Sequence, residues 1–350
     1  MPYTNIDSPK KYFETVLYTG TGASLNITGL NFKPDWVWTR FRSASNSHYI
    51  FDAVRGTNKV IFSDGTYTEA TISDSLNSFN SDGFTLGTNV NVNQSGTTFA
   101  SWNWLGANTT VSNTAGTITS TVSANTTSGF SIVSYTGNGT NGATIGHGLG
   151  VAPKMIIVKR RNGDPENWNV YHASLGNTKR ILLNSTATEE TNGVWFNTTP
   201  TSTLFYVSGI GSINENAGTY IAYCFADVKG YSKFGSYQGN SSTDGTFVYI
   251  GFKPAFVIIK NITNGNNWIM LDNKRGTYNL QSTTLYPNTS DVETSTTTNF
   301  GMDFLSNGMK MRTSGGYTTN SNNASGNTYI YMAFAENPFV SSKGIPTTAR

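Results

Sequence analysis

PDWVWTR (34–40), PKMIIVK (153–159) and PAFVIIK (254–260) are three versions of one phrase. Each opens on a proline, runs through large apolar residues and places a cation six positions on, at Arg40, Lys159 and Lys260. Residues 155–158 and 256–259 are apolar at every position, and Trp36, Val37 and Trp38 play the same part in the first version. A strand that is apolar on both faces must be covered on both faces.

Working outward, each proline is preceded by Tyr-x-Gly: Tyr18 and Gly20, Tyr135 and Gly137, Tyr237 and Gly239. Each is followed by an aromatic-led strand and a tight turn: YIFDAVRG (49–56), WNVYHASLG (168–176) and WIMLDNKRG (268–276). From proline to the closing glycine is 22, 23 and 22 residues. Each copy resumes at a glycine, Gly83, Gly193 or Gly308, and ends on an aromatic strand at 99–104, 220–225 or 329–334. The repeat length of 101 to 119 residues is that of a domain and too long for a solenoid unit of about 20–50. Trp102 and Trp104 alternate with Ser101 and Asn103, which predicts one buried and one wet face.

The composition fits this reading. Charged residues are 12 % against about 25 % in an average globular protein, aromatics are 13 %, and there are 36 glycines. Thr, Tyr, Phe, Val and Ile suit strands, while Gly and Asn suit turns. The predicted fold is all-β, with three tandem homologous β-sandwich (jelly-roll-like) domains, each holding its own core. Expected boundaries are 11–106 for the first, 128–229 for the second and 230–340 for the third. Residues 107–127 read as a linker, part of it an edge strand of the second domain, and 341–350 as an exposed tail. The second and third domains are expected to abut near 227–233.

The formal charge of +3 and the lack of basic clusters interleaved with aromatics argue against nucleic-acid binding. Lys159, Arg160 and Arg161, the densest basic run, read as a solvated strand end. The polar N-terminus lacks an apolar signal core, and no apolar run approaches the ~18 residues of a membrane span. Cys224 is the single cysteine and reads as core.

No catalytic, cofactor-binding or metal-binding set emerges. His48, His147 and His172 fall at different repeat positions. The best constellation is a carboxylate among cations: Arg40, Asp52 and Arg55 in the first copy, Lys260, Asp272 and Arg275 in the third. The second has His172 and Leu175 in place of the acid and the arginine. It reads first as an ion pair bracing the turn. The glycine-rich stretches 137–142 and 146–150 read as β-turns rather than phosphate loops. Tyr67, Tyr206, Tyr286 and Tyr317 are candidate surface contacts. A glycan-cleaving activity would need paired carboxylates, for which Asp52, Glu69 and Asp82 are the residues to substitute.

FETVLYTGTG (13–22), NFKPDWVW (31–38), FDAVRG (51–56), FNSDGF (79–84) and ASWNW (100–104) together resemble a repeat family of virion structural proteins of marine bacteriophages, of the cyanophage and pelagiphage type. HGLGVAPKMIIVK (147–159), AFAENPF (333–339) and TTAR (347–350) have the same character. The resemblance implies a non-enzymatic virion surface component made in the host cytoplasm. A tail or fibre-like appendage contributing to host attachment comes first, then a capsid decoration protein, then a carbohydrate-binding module. The implied partners are other virion proteins, further copies of the chain in a homo-oligomer and a host surface glycan, with no cofactor and no membrane insertion.

Overall fold

The computed structural model describes residues 3–295, 300–314 and 322–347. It is nearly all β, built from antiparallel strands. Among the described residues no helix is long and apolar enough to cross a membrane.

The proline strands are Trp36–Phe41, Met155–Arg160 and Phe252–Asn261. Each lies between a closing strand (Thr98–Trp104, Thr219–Phe225, Thr328–Pro338) and a turn strand (Tyr49–Asp52, Asn169–His172, Ile269–Asp272). Beyond the closing strand runs the opening strand: Phe13–Thr19, Phe130–Thr136 or Ser232–Gln238. The register repeats. Trp38 faces Trp102, Ile157 faces Tyr223 and Ile258 faces Met332, and all six side chains are buried.

The two covers of the proline strand differ in kind. On the outer face, Val37 joins Ile27, Leu76, Phe84 and Leu86 of a small sheet. Ile156 and Val158 do the same with Ile145, Phe205 and Val207, and Val257 and Ile259 with Val248, Met302, Met309 and Met311. On the inner face, Trp36, Trp38, Met155, Ile157, Phe256 and Ile258 all enter one cluster drawn from all three copies. Trp36 stacks on Tyr223 with centroids 4.5 Å apart, Trp104 meets Phe334 at 5.6 Å, and Phe225 meets Phe334 at 6.1 Å. Separate cores were expected; each copy has one, yet the largest core is common to all three.

The Tyr-x-Gly motif has one explanation in all copies. Tyr18, Tyr135 and Tyr237 donate to the carbonyls of Val92, Ile213 and Asn322 at 2.7–2.9 Å. A Cβ on Gly20, Gly137 or Gly239 would lie 2.2–2.3 Å from the carbonyl oxygen of Gln94, Glu215 or Ala324. Only a residue without a side chain fits beneath that loop.

Two expectations are corrected, the wet face of the closing strand and the role of Gly193. Ser101 and Asn103 are buried, so the closing strand has no wet face; the Asn103 amide donates to the carbonyls of Glu14 and Ser101. Gly83 and Gly308 both begin small-sheet strands, but Gly193 opens a 3₁₀ turn. Leu204 holds the corresponding place, and the glycine of that pair sits across from it, at Gly146. Residues 107–127 contain Val111–Asn113 and Ser120–Asn125, which extend the second large sheet. At 227–233 the Asp227–Lys233 ion pair closes a tight turn. Residues 341–347 are largely exposed, with Ser342 bound to Asp7; 348–350 lie outside the described residues.

Candidate functional site

The predicted constellation divides. Asp52 accepts from the Arg55 backbone amide at 2.8 Å and from the Arg55 guanidinium. Asp272 receives the same two bonds from Arg275, at 2.9 and 2.6 Å. Arg40 and Lys260 go elsewhere. Each Asp also takes a donor from another copy: Tyr223 Oη on Asp52 at 2.8 Å, Trp102 Nε1 on Asp272 at 3.0 Å. The arginines continue the chain to Glu69 (3.1 Å) and Glu293 (3.2 Å). Those glutamates are forked by Arg161 and Arg42, again from the neighbouring copy. Burial alone would raise the Glu69 carboxyl, yet Arg161 and Arg55 hold it below its usual range.

The second copy departs from this consistently. His172 and Leu175 replace the acid and the arginine, and the strand register gives the third copy Met332 and Ile262 at the positions where the other junctions offer Tyr223 or Trp102 and Arg161 or Arg42. Met332 has no N–H or O–H to give a carboxylate. His172 instead accepts from Ser174 N at 3.2 Å and donates from Nε2 to the Tyr331 carbonyl at 3.2 Å. Burial pulls its pKa down to about 4. Leu175 and Ile262 join the common core. At these positions two junctions carry a buried Asp–Arg pair and the third carries none.

The cations that recur six residues after each proline also work across junctions. Lys159 Nζ donates to the Thr66 carbonyl at 2.7 Å, Lys260 Nζ to the Thr186 carbonyl at 3.0 Å, and Arg40 to the Asp291 carbonyl at 2.5 Å. Burial pulls Lys260 down to about 7. Its contacts with the carbonyls of Ser185, Thr186 and Asn266 nonetheless call for three N–H groups, which only the ammonium supplies. The run at 159–161 is therefore not a solvated strand end: Lys159 is fully buried, and Arg160 pairs with Glu215.

His48 belongs to the same system. Trp38 Nε1 donates to its Nδ1 at 2.9 Å, so Nε2 carries the proton and donates to the Tyr286 carbonyl at 3.0 Å. Trp168 and Trp268, at the matching positions, donate to the carbonyls of Phe62 and Leu182 at 2.8 and 2.9 Å. The first copy reaches the third, the second reaches the first, and the third reaches the second. The three copies close a ring.

The remaining candidates are scattered. His147 is bound to the Thr201 carbonyl and the Leu149 amide within its loop. Cys224 is fully buried, and burial pushes its thiol up to about 12. Asp82 is exposed and Glu69 is committed to Arg55 and Arg161, so Asp52, Glu69 and Asp82 do not share a cleft. Tyr67 is exposed, Tyr206 half-buried, and Tyr286 buried at a junction rather than on the surface; Tyr317 lies outside the described residues. Among the described residues no group of three or more His, Cys, Asp or Glu is arranged to hold a metal ion. Asn93, Asn214 and Asn323, whose side chains accept from Thr21, Asn138 and Asn240 in the loops after Tyr-x-Gly, were missed; they stand at a constant offset before the closing strand, which was the available signal.

Two clefts involve the third copy. Lys10, Glu14, Lys274 and Glu336 line a small cleft of about 150 Å³ at the seam with the first copy. A larger one, about 440 Å³, is lined by Tyr3, Tyr249, Lys229, Lys233 and Asp227 over Gly251.

One family model, described as Domain of unknown function (DUF7483), matches residues 8–338. The chain belongs to that family. No curated protein and no solved structure matches the chain. The single DUF7483 match spans all three copies rather than one repeat.

Proposed function

We propose that this DUF7483 protein is a non-enzymatic structural component of a phage virion surface, part of a tail or fibre-like appendage that contributes to host attachment. The phage setting rests on the resemblance of its motifs. The observation that carries the structural role is how its reactive side chains are spent: Asp52, Arg55, Asp272, Arg275, His48, His172, Lys159 and Lys260 are all engaged in bracing turns and joining copies. A body cross-linked in this way suits a load-bearing exterior part better than a catalyst, which keeps a titratable group available to substrate.

We read each copy as a sandwich-type module, its large sheet outside the common core and its small sheet outside that. A capsid decoration protein is the competing place for such a body. Quantitative mass spectrometry of purified, fractionated virions tests both. The appendage reading expects a few to tens of copies per particle, co-fractionating with tails. Hundreds of copies on tail-less heads would favour decoration, and absence from the particle would overturn the virion reading.

A further inference from the structure

We infer that the cleft between Tyr3 and Tyr249 is a binding site for an acidic saccharide. Its strongest support is a comparison within the molecule. The outer strand of the third small sheet, Phe247–Tyr249, turns Val248 inward and Phe247 and Tyr249 outward, 44 % and 57 % exposed. The register of the small sheets places Asn26 and Thr28 of the first copy, and Thr144 and Gly146 of the second, at those two positions. Core positions are kept apolar in all copies, whereas here one copy alone carries large rings in water. Burial explains the first pattern and leaves the second unexplained.

Of the two rings it is Tyr249 that lines the cleft, and the neighbourhood is built around it. Tyr3 donates to the Gly251 carbonyl at 2.8 Å, and its hydroxyl lies 3.3 Å from that of Tyr249. Gly251 has φ +82°, and a Cβ there would come 2.7 Å from the Tyr3 hydroxyl, so the glycine admits the tyrosine. Lys229 Nζ stands 4.5 Å from the Tyr3 ring centroid. Lys233 is paired with Asp227 at 2.6 Å, and among the described residues no carboxylate pairs with Lys229. The cleft thus carries one surplus positive charge beside the exposed Tyr249 ring and the half-buried Tyr3 ring, and its volume of about 440 Å³ falls in the ~300–1,000 Å³ range of small-molecule sites.

The C–H face of a pyranose is apolar and weakly positive, and the face of an aromatic ring is weakly negative. A sugar stacked on Tyr249 would bring a ring carboxylate toward Lys229, and the tyrosine hydroxyls would meet its hydroxyls. A nucleotide would ask for more than one cation, and an apolar ligand would gain nothing from Lys229.

This inference deepens the attachment part of the reading above and rests on it only for its setting. Binding is measured on the isolated chain, so its failure is separate from failure to find the chain in virions. The probes are a hexameric oligogalacturonate, an α2,8-linked sialic acid oligomer and uncharged maltohexaose, followed by titration calorimetry and saturation-transfer NMR. At least one acidic probe should bind, more tightly than maltohexaose. Tyr249→Ala should weaken it about tenfold. Lys229→Met should weaken it several-fold and flatten its salt dependence. Tyr67→Ala, an equally exposed ring of the first copy, should leave affinity unchanged, and thermal unfolding confirms that each variant is folded. Silence of both acidic probes at millimolar concentration, equal affinity for maltohexaose, or Tyr249→Ala binding within twofold of the unaltered chain would each overturn the inference.

Discussion

The junction between the first and second copies can be tested by removing its central ion pair one side at a time. In Asp52→Ala, the Arg55 guanidinium keeps Glu69 and the Ile50 and Lys59 carbonyls but loses its nearest charge, and the Tyr223 hydroxyl loses its acceptor. In Arg55→Leu, a fully buried carboxylate is left with one hydroxyl and one amide. Breaking a buried pair from one side costs about 3–5 kcal/mol, so each single variant should fall in that range. The double variant removes both charges together. The Ile50 and Lys59 carbonyls lose Arg55 in the single variant as well, so they cancel from the comparison; what the double variant adds to them is an orphaned Tyr223 hydroxyl, worth about 1–3 kcal/mol, and a small void. Leucine is already accommodated at this place in the second copy, at Leu175. The double variant should therefore cost far less than the two singles together, with a coupling of about 3 kcal/mol or more. Urea unfolding followed by tryptophan fluorescence reads this well, because all seven tryptophans are buried. Single costs that add to within ~0.5 kcal/mol would refute the reasoning.

Acid should weaken the fold through its histidines. The His172 pKa is about 4 when folded against an ordinary 6.5, so between those values the unfolded chain binds a proton that the folded chain does not. Stability is then full above pH 6.5 and falls toward pH 4 by about 3 kcal/mol for this residue. His48 and His147 are lowered too and act in the same direction. His172→Asn can keep the bond from the Ser174 amide without titrating, gives up the one to the Tyr331 carbonyl, and should visibly flatten the stability-against-pH curve over that window. Gly137→Ala should destabilise by about 3 kcal/mol or more, because its methyl would lie 2.3 Å from the Glu215 carbonyl oxygen; a melting temperature unchanged from that of the unaltered chain would contradict this. Trp168→Phe should cost about 1 kcal/mol by taking the indole donor from the part-buried Phe62 carbonyl, measured by the same urea titration.

Much of the fold was legible because its repeated demands are local. A strand apolar at 155–158 needs two covers, and a glycine two residues after each motif tyrosine marks a close backbone approach. Neither fact says what provides the cover. That Trp36, Ile157 and Phe256 share one core depends on how copies pack, which no stretch of sequence states by itself. The Asp–Arg pairs were visible as charges near a turn, but their partners Tyr223 and Trp102 lie about 170 residues away. His48 looked incidental because it was set one position out of register with Trp168 and Trp268; strand pairing shows it supplying the same N–H donor. The cleft at Tyr3 and Tyr249 brings together residues 3, 229 and 249 and could not have been seen from spacing.

A ring made from three separate identical chains must show the same residue on every face, so any ring exposed for contact appears three times or not at all. Here a single polypeptide carries all three faces, and each can mutate alone. The first copy can keep Asn26 and the second Thr144 while the third turns Phe247 to the outside, with one body still stiffened by all three. Joining the copies in one chain makes a one-sided surface available to a three-sided architecture.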